Sequence, residues 1–365
     1  MILVDVTNAS RSRHLSGLQR VSACVRAGLA TRDGIGMREV IWEDGRWTGV
    51  DGALVRASAD DWLLTPEVFG ADERPGFAGW IADPGCRTAA VYYDAIPLKL
   101  PSITWPRSVG RHPGYMKQLA RFDRVLAISE TSRRELVGYW DWARTPARAQ
   151  VSVIPLGADG PGAPRPTLRP ALESAPALVM VGIVEPRKNQ SLMINVCSRL
   201  WESGLAFELH IVGRVNPHFG KPVAKHAAEV SRRHAGLHFD GPLDDAALRA
   251  LHARARAAVF PSIAEGNGLP VLEALWQGVP CVCSRIPALE ENSAGGGCLL
   301  VDPEDREGWT DAIRSVVTDD AFVASLRDQA LARPLPTWSD SVDAVLVALG
   351  QGEFARDRCR ASRLS

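Results

Sequence analysis

The feature that most constrains the fold is a repeated alternation of short apolar runs with longer segments of helical spacing. The helical segments carry an apolar residue every three or four positions, as Leu18, Val21, Val25 and Leu29 show. Such alternation is typical of parallel sheets built from βαβ units, so the sequence predicts an α/β chain. The apolar runs, rich in β-branched residues, lie at 1–6, 89–94, 124–129, 151–157, 177–182, 207–213, 236–241, 257–262, 279–284 and 297–302.

A proline-rich stretch divides this alternation into two halves. Residues 155–176 hold six of the 25 prolines of the chain, a composition that is typical of a linker. A length of 365 residues also exceeds what one hydrophobic core usually organises. We therefore predict two Rossmann-like, doubly wound parallel-sheet domains, at 1–160 and 177–335, joined by a linker at 161–176. Apolar spacing near the C-terminus predicts a helix over 336–350 that packs back on the first domain, followed by a tail at 351–365.

Charge and composition exclude several classes of protein. The 42 basic and 42 acidic residues cancel, so the chain lacks the positive field on which nucleic-acid-binding proteins rely. Seven cysteines without C-x-x-C spacing indicate neither a disulfide framework nor a zinc knuckle. No apolar stretch approaches the roughly 20 residues that cross a bilayer, and the N-terminus lacks the basic region of a secretory signal. We expect a cytoplasmic protein that binds no nucleic acid.

Two adjacent cations follow the strand predicted at 177–182. Arg187 and Lys188 stand in the segment EPRKN, which leads directly into a predicted helix. The N–H groups at a helix start bind anions, and a neighbouring cation adds charge-assisted hydrogen bonds. The pair therefore suits a diphosphate, although an isolated Arg-Lys pair is more often a solvated part of a loop.

Two carboxylates follow the strand predicted at 257–262. Glu265 lies in the loop and Glu273 about one turn into the next helix, with seven residues between them. The intervening Gly266-Asn267-Gly268 allows backbone N–H groups to approach a ligand closely. Because a carboxylate can accept hydrogen bonds from vicinal hydroxyls, the pair could hold a ribose and a sugar ring. Alternatively, the two acids only complement the dipole of the helix.

These segments resemble the E-x(7)-E signature of the retaining glycosyltransferases of family 4, which have the two-domain GT-B fold. The resemblance implies transfer of a mannose- or glucose-type hexose from a GDP or UDP sugar to a hydroxyl of a glycan or lipid-linked acceptor, in surface polysaccharide synthesis. The second domain would bind the donor and the first the acceptor. The matching segments are EPRKN, FPSIAEGNGLPVLEALWQGVPCV at 260–282, SGLQRV at 16–21, YYDAIPLKLP at 92–101, AISETSRREL at 127–136 and residues 239–262.

The resemblance implies a role for each candidate residue of the donor side. Arg187 and Lys188 would hold the diphosphate, Glu273 the ribose hydroxyls, and Glu265 the hydroxyls of the transferred sugar. The base would lie against the backbone at 241–243, which includes Leu243. Backbone amides for the sugar and phosphate would come from Gly266, Asn267, Gly268 and Leu269.

Four further residues are implied on the side of the first domain. Gly17 would let the N-terminal loop approach the phosphate, and Ser129 and Glu130 would lie near the cleft. A plain helix N-cap explains Ser129 and Glu130 equally well. The family is usually thought to retain the anomeric configuration by same-face attack, in which the leaving phosphate helps to deprotonate the acceptor. No nucleophile is therefore assigned, and Asp94 is the nearest candidate.

The chain departs from the family pattern at three positions. Tyr93 replaces a frequent histidine, Asn267 a frequent aromatic residue and Ile183 a frequent arginine. Tyr93 could still donate a hydrogen bond to a sugar hydroxyl. Because of these changes, the identity of the transferred sugar does not follow from the resemblance. The alternative function is that of a catalytically silent GT-B protein, which binds nucleotide sugars or acts as a scaffold.

Two expectations concern metal and membrane. The chain has no D-x-D motif, so we expect activity without a metal or another cofactor. His234 and His238 have i, i+4 spacing, but Gly236 lies between them at a predicted helix end, which argues against a metal site.

Residues 99–148 hold ten basic residues against four acidic ones, interleaved with Trp105, Trp140 and Trp142. This pattern predicts peripheral contact with an anionic membrane, or else a solvated face.

Overall fold

The computed structural model describes residues 1–11, 17–160, 165–167 and 176–351, and the chain divides into two units. The first unit comprises Met1–Gly157 and Pro336–Ser365, and the second Ala158–Leu335. Most of the predicted linker (161–164 and 168–175) and the tail from residue 352 lie outside the described residues. In the described part of the chain, no helix is long and apolar enough to span a membrane.

The first unit is built on a seven-stranded sheet of order β3-β2-β1-β4-β5-β6-β7. All neighbouring strands are parallel except β2 and β3, which form a hairpin. Asp44 and Gly45 both have positive φ at its turn, as a two-residue type I′ hairpin loop requires. The strands are β1 Ile2–Asp5, β2 Met37–Glu43, β3 Arg46–Gly49, β4 Trp62–Thr65, β5 Arg87–Tyr92, β6 Arg124–Ala127 and β7 Gln150–Val153.

Helices cover this sheet, and aromatic side chains fill much of its core. Trp42 and Trp47 meet edge to face with ring centroids 5.0 Å apart, and Phe77 packs against Trp42 at 5.4 Å. The first helices of the chain are α1 Gly17–Ala30, α2 Phe77–Trp80, α3 Ile96–Lys99, α4 Pro106–Leu119 and α5 Glu130–Trp142.

The second unit has a six-stranded parallel sheet of order β10-β9-β8-β11-β12-β13. Its strands are β8 Ala177–Val181, β9 Glu208–Val212, β10 Leu237–Gly241, β11 Ala255–Phe260, β12 Cys281–Ser284 and β13 Cys298–Val301. Its helices are α6 Gln190–Glu202, α7 Lys221–Ser231, α8 Asp245–Arg254, α9 Leu269–Trp276, α10 Pro287–Ser293, α11 Arg306–Thr318 and α12 Asp320–Ala332. The strand order reverses between β8 and β11, and in open sheets of this kind ligands bind beyond the strand ends at such a point.

The last helix, α13 (Trp338–Ala348), returns to the first unit, as the sequence predicted. It begins at a capping box in which Thr337 and Asp340 bond to each other's backbone N–H groups. Its contact with α1 is close, because a Cβ added at Gly28 would lie only 2.4 Å from Val342 Cγ2. Arg32, two residues after the end of α1, pairs with Asp343 at 2.8 Å.

Ion pairs offset part of the charge of the basic stretch at 99–148. At least six of its ten basic residues form ion pairs, and two of these use Asp72 and Glu73 from outside the stretch, so the local positive charge is lower than the sequence count. Trp140 is buried in the core, whereas Trp105 and Trp142 are 44% and 80% exposed. The pairs are Lys99–Glu135, Arg107–Asp72, Arg111–Glu73, Arg133–Glu130, Arg134–Glu130 and Arg148–Asp123.

A fully buried ion cluster lies at the carboxyl end of β1. The guanidinium of Arg74 pairs with Asp5 and, at 3.2 Å, with Glu67 Oε2, and its side chain also covers the ring of Phe69. Glu67 accepts the backbone N–H groups of Asn8 and Ala9 at 2.7 Å each. Burial, together with the Asp5 charge, raises the pKa of Glu67 to about 7. Arg74 thus compensates two buried carboxyl groups, of which Asp5 is fully enclosed and Glu67 nearly so.

We expect Arg74→Ala to lower the free energy of unfolding by about 3–5 kcal/mol, because it leaves two buried carboxyl groups without their cation. Arg107→Ala is the matched control, since it breaks an ion pair whose two side chains are half exposed, and solvent-exposed pairs contribute little to stability. Urea unfolding monitored by circular dichroism measures both. Equal losses in the two variants would contradict the role assigned to the buried cluster.

Candidate active site

The loops that follow β8 and β11 meet at the point where the strand order reverses. Lys188 ends a 3₁₀ turn, Pro186–Lys188, that begins five residues after β8. Glu265 lies in the loop between β11 and α9. Because β8 and β11 are parallel neighbours, their carboxyl ends share one edge of the sheet, and the two loops come within bonding distance.

Glu265 is the centre of an ion cluster in this unit. Its Oε1 lies 2.5 Å from Lys188 Nζ, and its Oε2 lies 3.1 Å from Arg187 Nη1. The side chains of Glu265 and Lys188 are only 11% and 12% exposed. Burial alone would raise the pKa of Glu265, but the two cations outweigh it and lower the pKa to about 2. Glu265 is therefore a carboxylate at neutral pH.

Arg187 bridges two carboxylates rather than one. Its Nε and Nη2 lie 3.0 and 2.8 Å from Glu185 Oε1, and its Nη1 also donates to the Ala264 carbonyl at 2.9 Å. Asn216 in turn donates from Nδ2 to Glu185 Oε2 at 2.7 Å. Sequence reasoning assigned no role to Glu185 or Asn216. The position of Glu185, two residues before Arg187, could have indicated that the two side chains pair. No spacing in the sequence indicates the contact that Asn216 makes.

Lys188 is accommodated by glycine at the end of β8. A Cβ added at Gly182 would lie 3.4 Å from Lys188 Cε and 3.8 Å from its Nζ. Gly213, at the end of β9, has φ +149°, and a Cβ there would lie 1.9 Å from the Gly182 carbonyl oxygen. Only glycine fits at position 213, and the backbone packing that it permits keeps the strand ends close beneath Lys188.

The glycine-containing loop before α9 is positioned by a side chain of α10. Asn292 donates from Nδ2 to the Asn267 carbonyl at 2.5 Å and approaches the Gly268 carbonyl at 3.4 Å. Gly268 caps α9 with φ +86°, and Leu269 is the first residue of the helix. Gly266 is buried and Glu273 is partly buried. The loop and the start of α9 therefore have a defined backbone next to Glu265.

Tyr93 does not have the exposed hydroxyl that its predicted role requires. The residue is 4% exposed, and its hydroxyl donates to the Pro66 carbonyl at 2.6 Å, with the Leu18 carbonyl at 3.2 Å. Because a phenol has one hydrogen to donate, Tyr93 cannot also donate to a sugar in this conformation. In this structure the Tyr93 hydroxyl contacts the backbone of the first unit, and a sugar contact from Tyr93 stays a prediction that would require the side chain to give up its bond to Pro66.

The other candidates of the first unit lie at the starts of helices. Asp94 Oδ1 accepts the Ile96 N–H at 2.9 Å just before α3, and the Asp94 carbonyl lies 2.9 Å from His112 Nε2. Ser129 is the N-cap of α5 and accepts the Ser132 N–H at 2.9 Å. Glu130 is the first residue of α5 and pairs with Arg133 at 2.6 Å. Ser129 thus acts as a helix N-cap in the structure, which is the alternative explanation for this residue.

Gly17 lies at a helix start in the first unit, and Leu243 lies in a loop of the second unit. Gly17 is the exposed first residue of α1, and residues 12–16 of the predicted loop before it lie outside the described residues. Leu243 lies between β10 and α8 and packs on the core of the second unit. Neither position tests the ligand contacts that the resemblance implies.

The second unit matches a known family. Residues 175–319, which include Arg187, Lys188, Glu265 and Glu273, match the family model of the group 1 glycosyl transferases. The chain is 30% identical over 223 residues to the serotype-specific mannosyltransferase WbdA of Escherichia coli, an alignment that covers 57% of this chain and 27% of that protein. It is 30% identical over 247 residues to the MMP alpha-(1->4)-mannosyltransferase of Mycolicibacterium hassiacum, covering 66% and 57% of the two chains. The chain thus spans about a quarter of the length of the first relative and somewhat over half of the second.

The fold has a solved counterpart over nearly the whole chain. The structure of WaaG, a glycosyltransferase involved in lipopolysaccharide biosynthesis, superposes with a TM-score of 0.67 and 15% identity, and covers 96% of this chain and 100% of that one. This likeness confirms the predicted two-sheet fold, the GT-B fold. The chain is therefore similar to the glycosyltransferases of family 4 in the sequence of its second unit and in its fold, which confirms the resemblance found in its motifs.

Proposed function

We propose that the chain is a retaining hexosyltransferase of polysaccharide synthesis. It moves a mannose- or glucose-type sugar from a GDP or UDP sugar to a hydroxyl of a glycan or lipid-linked acceptor. The observation that carries the proposal is the ion cluster of Glu265 with Lys188 and Arg187, at the switch point of the sheet in the unit that matches the glycosyl transferases. The names of the relatives, several of them mannosyltransferases, support the sugar class.

The diphosphate binds the two adjacent cations, Lys188 and Arg187. An ammonium group has three N–H donors, and the structure describes one Lys188 hydrogen bond, to Glu265. The described contacts of Arg187 are to Glu185, Glu265 and Ala264, so Lys188 takes the larger share of the phosphate charge. Backbone N–H groups of 266–269 at the start of α9 complete the anion site.

Glu265 binds hydroxyls of the transferred hexose, and Glu273 binds those of the ribose. The low pKa of Glu265 keeps it ionised, so it accepts hydrogen bonds and does not act as a general acid at neutral pH. The leaving phosphate itself takes the acceptor proton in the same-face reaction. In this proposal Ser129 and Glu130 lie on the acceptor side, and Asp94 is the nearest candidate for a nucleophile. Gly17 lets the N-terminal loop approach the donor phosphate, and Leu243 lies against the base.

We predict that Lys188→Ala and Glu273→Ala each reduce kcat/KM tenfold to a hundredfold. Loss of one charge-assisted hydrogen bond to the donor costs about 1.5–3 kcal/mol in transition-state binding. Lys225→Ala is the matched control, because its side chain is 80% exposed on α7. Transfer is measured with radiolabelled donor, and circular dichroism checks each fold. Near-normal kinetics in a folded Lys188→Ala or Glu273→Ala enzyme would contradict the site assignment.

We also propose that the reaction needs no divalent metal, since cationic side chains and a helix start can neutralise the diphosphate. Transfer should continue at an unchanged rate in excess EDTA. The same assay with added Mg²⁺ or Mn²⁺ serves as the reference. Loss of transfer in EDTA that either metal restores would show that the donor diphosphate is bound through a metal.

A peripheral contact with an anionic membrane at the cytoplasmic face would bring the enzyme to a lipid-linked acceptor. The exposed Trp142 at the end of α5 supports it, with Arg134, 60% exposed, on the same helix. We expect co-sedimentation with anionic vesicles that falls at high salt and falls further in Trp142→Ala, because both charge and the indole contribute. Val50→Ala removes an exposed apolar side chain elsewhere in the unit and is the control. Equal recovery with neutral and anionic vesicles would contradict the contact.

A further inference from the structure

A second cluster of ligating side chains lies at the edge of the sheet in the second unit. Glu208 and His210 lie two residues apart on β9, and His238 and Asp240 lie two residues apart on the edge strand β10. Side chains two apart on a strand share a face, and His210 stands opposite His238 in the strand register. Four potential metal ligands therefore project from one face of two neighbouring strands.

Three of these residues nearly form a coordination shell. His210 Nε2 lies 3.0 Å from Glu208 Oε2, and His238 Nε2 lies 3.9 Å from Glu208 Oε1. One ligand atom from each residue lies within 4.8 Å of the other two. A tetrahedral Zn²⁺ bound at about 2.0–2.2 Å holds its ligands about 3.3–3.5 Å apart. The two imidazole rings stack in parallel with their centroids 4.4 Å apart, so at least one ring has to turn before both Nε2 lone pairs point at one ion.

Asp240 orients one of the two imidazoles. Its Oδ2 lies 2.8 Å from His210 Nδ1, which places the ring proton on Nδ1 and leaves the Nε2 lone pair facing Glu208. Histidines that bind metals usually donate their second ring N–H to a carboxylate in this way. The tautomer is assigned from this hydrogen-bond pattern.

A cation already lies where the ligands meet. Arg254, the last residue of α8, donates from Nη1 to Glu208 Oε2 at 2.7 Å and from Nη2 to His210 Nε2 at 2.8 Å. The Arg254 side chain is 43% exposed and can move into solvent without crossing the core.

We propose that Glu208, His210 and His238 form a binding site for a divalent transition metal of the zinc class. Asp240 orients His210, and Arg254 occupies the site when no metal is bound. Two imidazoles and a carboxylate are ligands that Zn²⁺ prefers, and water takes the fourth position. The metal joins β9 to the edge strand β10. This inference is independent of the proposed transferase reaction.

The test is titration of metal-stripped full-length protein with Co²⁺, followed by visible absorption, and with Zn²⁺, followed by calorimetry. We expect one metal per chain with the spectrum of tetrahedral Co²⁺ bound to nitrogen and oxygen. His238→Ala and Glu208→Ala should weaken binding at least tenfold. Arg254→Ala should strengthen binding, because a competing cation is gone, and a gain in affinity cannot result from unfolding.

His226→Ala is the matched control, because that imidazole contacts Asn195 on α6 and lies outside the cluster. It should bind both metals as the unaltered protein does. Circular dichroism and thermal unfolding without metal check the fold of every variant. Two results would overturn the proposal: binding that none of the three cluster substitutions changes, or a cobalt–thiolate absorption band, which would place the metal on cysteines instead.

Discussion

The candidate active site depends on the ion pairs that Glu265 forms with Lys188 and Arg187. They join the loop after β8 to the loop after β11, and they do so at the point where the strand order reverses. All three side chains are largely buried, and a buried charge without its partner is strongly destabilising. The same pairs therefore hold the loops together and present a carboxylate and an ammonium group side by side.

Charge balance in this cluster limits how a donor can bind. Glu185 and Glu265 offset Arg187 and Lys188, so the four side chains together are neutral. A diphosphate adds negative charge that these side chains alone do not compensate. The proposed site therefore needs the backbone N–H groups before α9 besides the two cations, and the loop that carries them, positioned by Asn292 and Gly268, lies beside Glu265.

Much of the fold and the location of the site could be predicted from the sequence, because strand and helix periods are local and strand ends converge in parallel sheets. Side-chain partners could not, since they depend on residues distant in sequence. Tyr93 bonds to Pro66, and Arg111 of the basic stretch pairs with Glu73. In the sequence, His238 stands at helical spacing from His234, but in the structure it lies on β10 opposite His210, a pairing that only strand register reveals.

The most direct test of the account is a screen of UDP, GDP and ADP hexoses as donors, with the anomeric configuration of the product read by proton NMR. The account predicts turnover with at least one of these donors and a product with the same anomeric configuration as that donor. A product of inverted configuration would contradict same-face transfer at the Glu265 cluster. Binding of a nucleotide sugar without turnover, whatever hydroxyl acceptor is supplied, would favour the catalytically silent alternative.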